Sequence, residues 1–252
     1  MGLPKSADQQ ILSAKQISAM NLQKAKVVSK KSLTGSVFEL QFKTFKDFNF
    51  KAGQFITIKI NDNSSPVCFR TYSIASAPNN ENLFTLCVKV IENGRGSNWL
   101  YSLKEEYEIE FLGPTGNFTF KTPPGKTALF IATGTGIAPF KSIVEDELPK
   151  GNTQNMHIIF GLRQENHIFY KEEFENFTKN YPNLKFNLML SRPENESGGK
   201  RGRVTDILNN LPIDTQNTEA YICGLKEMIT DITDILIKKG LKKEQIYTEK
   251  YN

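Results

Sequence analysis

The stretch R-T-Y-S-I-A-S, Arg70 to Ser76, opens with three side chains of different chemistry. Arg70 offers a planar fork of donors matched to phosphate oxygens, Tyr72 a flat stacking surface, and Ser73 a small hydroxyl donor. In a strand each also has an ordinary reading: a surface charge, a core aromatic and a solvated hydroxyl. Further on, G-R-G-S-N-W-L, Gly94 to Leu100, sets a glycine turn at the start of a short helix. The unpaired N–H groups of such a helix start can cradle a pyrophosphate, although a plain connecting turn uses the same residues.

A second glycine turn reads A-T-G-T-G-I-A-P, Ala132 to Pro139. Gly134 and Gly136 let the backbone approach an anion at a helix N-terminus. The turn departs twice from the dinucleotide fingerprint. Pro139 takes the third glycine position, and about 20 residues past Gly134 stand Thr153 and Gln154, not an acid to hold a ribose diol. Ribose recognition could instead fall in the loop S-R-P-E-N-E-S-G-G-K-R-G-R-V, which carries Ser191, Arg192, Lys200, Arg201 and Arg203. Those cations suit a 2′-phosphate better than a bare ribose, and a solvated basic loop is the competing reading. Cys223-Gly224 ends a later strand at the same edge, as a ligand neighbour or simply a small buried residue. His157 sits inside a strand pattern and His167 in a loop, and no Ser–His–Asp arrangement is visible.

These residues need two kinds of scaffold. From Lys24 to about Lys121 the chain alternates short strand patterns with turn residues, A-K-V-V-S-K-K, V-F-E-L-Q-F, G-Q-F-I-T-I-K-I, R-T-Y-S-I-A, L-F-T-L-C-V-K-V and Y-E-I-E-F-L. A last strand, N-F-T-F, is expected after a G-P-T-G turn. This spacing predicts an antiparallel β-barrel or sandwich. T-P-P-G-K, Thr122 to Lys126, reads as a linker. Beyond it the apolar strand T-A-L-F-I-A-T begins a strand–helix alternation that predicts a doubly wound parallel sheet. The expected division is a tail at 1–22, a β domain at 23–124 and an α/β domain at 125–252.

Composition narrows the function classes. Lys and Arg total 32 against 27 Asp and Glu, a mild positive bias that permits an acidic partner and does not argue for nucleic acid. The three cysteines, Cys68, Cys87 and Cys223, lack the spacing of a disulfide framework, a zinc site or an iron–sulfur cluster. No apolar run approaches the roughly 20 residues that span a bilayer, and the N-terminus lacks a signal peptide's apolar core. A cytoplasmic protein, monomer or weak dimer, without membrane insertion, is the expectation.

Taken in order, R-T-Y-S, G-R-G-S, G-P-T-G-N-F, G-T-G-I-A-P-F, F-Y-K-E-E-F, Y-I-C-G-L-K-E-M and the terminal E-K-Y-N resemble the ferredoxin–NADP reductase superfamily, from about Leu22 to Asn252. The resemblance implies FAD on the β domain: Arg70 at its pyrophosphate, Tyr72 against the isoalloxazine, Ser73 near flavin N5. It also implies backbone contact from Val88 and Lys89 and a pyrophosphate loop at Gly96 and Ser97. For the α/β domain it implies NADP(H), with Thr133, Gly134, Thr135 and Gly136 beneath the pyrophosphate and Cys223 and Gly224 beside the nicotinamide. Ser191 and Arg192 match 2′-phosphate positions, with Arg201 and Arg203 in the same basic loop, while Gly202 replaces a further tyrosine of the family. Glu249 and Tyr251 repeat the spacing of a terminal glutamate and a flavin-stacking aromatic residue, although Asn252 extends the chain by one residue.

The implied activity is hydride transfer between NADP(H) and FAD, with single electrons exchanged with a ferredoxin or flavodoxin. The implied catalytic set is Ser73, Cys223, Glu249 and Tyr251. Two alternatives keep the fold: a stand-alone reductase feeding an oxygenase or free flavin, and a non-catalytic subunit that only relays electrons.

Overall fold

The computed structural model describes residues 21–195 and 198–251, so nearly all of the expected N-terminal tail, and Asn252, lie outside the described residues. The first sheet comprises β1 (Gln23–Ser32), β2 (Val37–Thr44), β3 (Phe55–Ile60), β4 (Cys68–Ser73), β5 (Leu83–Lys89) and β6 (Glu108–Thr115). These strands are antiparallel in the order β4-β3-β6-β1-β2-β5. The sheet closes into a barrel where Ile74 bridges Leu86 and the Ala75 N–H donates to the Thr85 carbonyl at 2.8 Å. This closure covers the β5 edge at Thr85 and Leu86 only, and among the described residues no strand pairs with that edge at Val88 and Lys89.

Alternation explains why these segments are strands: in β2, Phe38, Leu40 and Phe42 are buried while Glu39, Gln41 and Lys43 take the other face. The barrel core is rich in phenyl rings, with Phe84 5.1 Å from Phe48 and 5.5 Å from Phe111. Truncating one of these rings to Ala costs ~3–5 kcal/mol. Helix α1 (Arg95–Ser102) sinks Trp99 and Leu100 into the same core.

The second sheet contains β7 (Thr127–Thr133), β8 (Met156–Leu162), β9 (Leu184–Leu190), β10 (Lys200–Arg201), β11 (Thr218–Leu225) and β12 (Ile246–Tyr251). All are parallel, in the order β10-β9-β8-β7-β11-β12. Helices α2 (Ala138–Glu147) and α3 (Lys171–Asn180) cover one face, and α4 (Val204–Asn210) and α5 (Lys226–Lys238) the other. Strand β7 is apolar throughout because both faces are covered: Ala128, Phe130 and Ala132 join one core, Leu129 and Ile131 the other. The strand order reverses between β7 and β11. In doubly wound sheets that switch point is where ligands sit, at the carboxyl ends of the strands. Here those ends carry Thr133 and Cys223.

The expected strand N-F-T-F does not form, and G-P-T-G is no turn between strands, since β6 runs through Gly113 and Pro114 to Thr115. The segment after β6 pairs with no strand of either sheet. Instead Phe118 packs into the second domain's core, 5.8 Å from Phe140, and its carbonyl lies over Gly53, where an added Cβ would come within 2.1 Å of it. Downstream, the Tyr221 hydroxyl accepts the Lys121 N–H at 2.8 Å, fastening the linker to β11.

Candidate functional site

Period-2 alternation divides the work of β4. Arg70 and Tyr72 share one face and look toward the start of α1, whereas Ser73 looks the other way, toward the second domain. At α1 the missing side chain of Gly96 matters. A Cβ there would stand 2.7 Å from Arg70 Cγ and 3.3 Å from the Tyr72 hydroxyl. The helix start carries no side-chain cap and no acid in its first turn, so its N–H groups and dipole are left to an anion. Ser97 is buried, its Oγ accepting the Ile91 N–H at 3.0 Å and fixing the turn. The nearby backbone of β5 at Val88 and Lys89 pairs with β2 on one edge, and among the described residues no strand covers its other edge. An arginine fork, a ring, a helix start and an open backbone edge fit a flavin dinucleotide.

The second group assembles across the domains. Glu249 and Tyr251, two apart on β12, point the same way and meet Ser73. The Tyr251 hydroxyl donates to Ser73 Oγ at 2.8 Å, and Ser73 donates to Glu249 Oε1 at 2.5 Å. Tyr251 is held by pairing with Leu225, and Glu249 pairs with Cys223 in the parallel register. Burial lifts the Glu249 carboxyl to about 7, partly offset by the Ser73 hydrogen bond. Burial also pushes the Cys223 thiol and the Tyr251 hydroxyl well above their ordinary values. All three cysteines are free and buried.

The glycine turn Gly134–Ile137 is a short 3-10 segment leading into α2, with Pro139 in the helix's first turn, where its missing N–H costs nothing. Gly134 adopts φ +55° with nothing near its absent Cβ, so the space above it is open. Gly136 is needed for the opposite reason: a Cβ would stand 2.4 Å from the Cys223 carbonyl. Turn and Cys223-Gly224 are thus pressed together at the switch point, a shape that fits a nicotinamide nucleotide running from one to the other.

Ser191, Arg192, Arg201 and Arg203 lie apart from this junction and are exposed. The backbone N–H groups of Ser191 and Arg192 donate to the carbonyls of Leu162 and Arg163 at 3.0 and 2.8 Å, tying the loop to the end of β8. The glycine at 202 has a backbone cause: φ is +132° and a Cβ would stand 2.9 Å from Asp206 Oδ2.

Sequence reasoning missed several side chains that shape the site. The Arg95 guanidinium grips Asp62 at 2.5 and 2.7 Å and the Ser64 and Pro66 carbonyls, holding the 61–66 loop against α1. That pairing keeps the Asp62 carboxyl down at about 2. Tyr170 and Glu39 meet across the domains. G-R-G-S and F-Y-K-E-E-F contained Arg95 and Tyr170, but neither motif names its partner. Among the described residues no group of three His, Cys, Asp or Glu could hold a metal, and no helix is long and apolar enough to cross a membrane.

Residues 20–120 match the model of the oxidoreductase FAD-binding domain and residues 130–234 that of the oxidoreductase NAD-binding domain. Ferredoxin–NADP reductase B of Sorangium cellulosum (strain So ce56) is 30% identical over 237 residues, covering 90% of this chain and 97% of the relative. The ferredoxin–NAD(P)(+) reductase component of the naphthalene 1,2-dioxygenase/salicylate 5-hydroxylase systems of Ralstonia sp is 26% identical, over 86% of this chain and 65% of the relative. The ferredoxin–NADP+ reductase from Plasmodium falciparum, solved with 2′P-AMP, superposes with a TM-score of 0.78 at 29% identity, over 92% of this chain and 97% of that one. A ferredoxin NADP+ reductase from Neisseria gonorrhoeae shares the fold, with a TM-score of 0.81 at 22% identity over 92% and 99% of the two chains. With its FAD-binding barrel and NAD-binding sheet, this chain belongs to the ferredoxin–NADP reductase family of FAD-dependent oxidoreductases.

Proposed function

We propose that the chain, with residues 23–124 holding FAD and 125–252 holding the nucleotide, oxidises NADPH and delivers electrons to a ferredoxin. The observation that carries this reading is the hydrogen-bonded chain Tyr251–Ser73–Glu249, which joins the last strand of one domain to β4 of the other. When bound, the cofactors would supply the redox chemistry: hydride transfer between nicotinamide and flavin, and release of the flavin's electrons one at a time.

The residues do the rest. Arg70 and the start of α1, with Gly96 and Ser97, bind the FAD pyrophosphate; Tyr72 lies along the ring and Val88 and Lys89 offer backbone contacts. Ser73 orients the reacting edge, and Glu249 accepts or returns a proton at its carboxylate, which titrates near neutrality. Thr133, Gly134, Thr135 and Gly136 seat the nucleotide's pyrophosphate, and Cys223 with Gly224 positions the nicotinamide. Tyr251 covers the reacting face against water until the nicotinamide displaces it. Ser191, Arg192, Arg201 and Arg203 select the 2′-phosphate. The 2′P-AMP in the Plasmodium falciparum relative supports NADPH over NADH.

A flavodoxin as second carrier and a cytoplasmic setting belong to the same reading. The Ralstonia relative's name favours a second one, in which the electrons serve an oxygenase. Acceptor assays test the ferredoxin step, which the Ralstonia relative's name carries as well, against direct reduction of free flavin. NADPH-driven reduction of ferredoxin exceeding that of free flavin supports the first, whereas reduction of free flavin alone contradicts it.

A further inference from the structure

The two cofactor domains are fastened by a buried polar cluster beside the junction. Tyr170, at the start of α3, is 5% exposed and donates its hydroxyl to Glu39 Oε1 of the barrel strand β2 at 2.6 Å. Its backbone stands at φ +60°, a left-handed conformation that a bulky aromatic residue keeps only when its surroundings hold it there. The Lys141 ammonium lies 5.2 Å over the Tyr170 ring, pairs with Glu145 and sits 3.6 Å from Glu173, with the whole residue 8% exposed. Glu145 accepts the Ala77 N–H at 3.2 Å, and Ser142 donates to the Ser76 carbonyl at 2.6 Å.

The connectivity gives this cluster a task. Ser76 and Ala77 follow Ser73 in the chain, and Lys141, Ser142 and Glu145 lie on α2, the helix that begins at the Gly134–Gly136 turn. One set of bonds therefore ties the segment leaving the flavin edge to the helix that seats the nucleotide. Sub-ångström shifts between such groups change hydride-transfer rates, because the reacting atoms must be held in near-attack geometry. The bonds that cross the boundary are Tyr170 to Glu39, Ala77 to Glu145 and Ser142 to Ser76, and breaking them would leave buried polar groups unpaired, so the arrangement resists sliding.

We propose that Tyr170, through Glu39, is a positioning residue: the latch they form between the domains sets the approach of nicotinamide to flavin. This rests on the proposed NADPH-to-FAD reaction. The test is a double-mutant cycle of Tyr170→Phe and Glu39→Ala in the full chain, read by single-turnover reduction of bound flavin at saturating NADPH. Tyr170→Phe keeps the ring under Lys141 and removes only the hydroxyl. Each variant is expected to slow reduction per bound flavin by about tenfold, with FAD affinity unchanged, and the double variant to lose no more than either single one. Glu39→Gln, which retains an acceptor oxygen, is expected to recover most of the rate.

A second readout uses nitroxides on Lys31→Cys and Lys179→Cys, exposed positions on the two domains. Their distance distribution is expected to broaden when the Tyr170–Glu39 bond is lost. A rate per flavin within about twofold of the parent, with only the melting temperature lowered, would overturn the proposal, as would an unchanged distance distribution. Should the parent flavin resist NADPH, the reaction assignment fails, and the distance distribution still decides the latch.

Discussion

The junction around Ser73 and the basic loop around Arg192 are built on opposite principles. Ser73, Cys223, Glu249 and Tyr251 are joined by short hydrogen bonds and strand register at a domain boundary. Ser191, Arg192, Arg201 and Arg203 are exposed side chains on a loop tied down mainly by its backbone. Buried, directional contacts suit a step that depends on geometry, whereas exposed cations suit recognition of a charge that can be reached from many directions. Substitutions at the junction are therefore expected to act on kcat, and those in the loop on KM.

The largest effect is expected from Ser73→Ala, which removes the hydroxyl that links Tyr251 to Glu249. Flavin reduction should fall ~100-fold with little change in nucleotide affinity, as stopped-flow traces across NADPH concentrations would reveal. A change confined to KM would erase the distinction between the two regions. Next in size is Arg70→Ala, expected to weaken FAD binding by about 10- to 100-fold through loss of charge-assisted bonds. Equilibrium dialysis or fluorescence titration of the apoprotein measures it.

For Arg192→Ala the expectation is roughly a tenfold loss of preference for NADPH over NADH, with kcat preserved. Steady-state kinetics with both nucleotides would sharpen the comparison, and an equal loss for both would blunt it.

The smallest effect concerns pH. Because burial raises the Glu249 carboxyl from 4.5 to about 7, the folded state holds its proton where the unfolded state has lost it. Its contribution to stability is thus greatest below pH 4.5 and declines as pH rises toward 7. Glu249→Gln should gain in melting temperature relative to the parent over that window, and flavin reduction in the variant should lose its inflection near pH 7. Parallel melting profiles would argue that Glu249 titrates normally.

These contrasts also explain what could be read from the sequence. R-T-Y-S and G-T-G-I-A-P were legible because their chemistry is local: an arginine, a ring and a hydroxyl within one strand, or two glycines at a helix start. The alternation of β2 and the two-faced apolarity of β7 likewise revealed a barrel followed by a parallel sheet. Asn117 to Phe120 misled because alternating phenylalanines imitate a strand, whereas here both rings pack against the second domain's core and the segment pairs with no strand. The Tyr170–Glu39 bond spans 131 residues, and nothing in either segment names the other. The glycine at 202 reads as a lost tyrosine until its φ of +132° shows that the backbone requires it.

The most direct test of the account is rapid mixing of the purified chain with NADPH or NADH while following the absorbance of bound flavin. The account predicts a protein that carries FAD, with flavin bleached by NADPH faster than by NADH. A chain that binds no flavin, or whose flavin NADPH leaves oxidised, would contradict it.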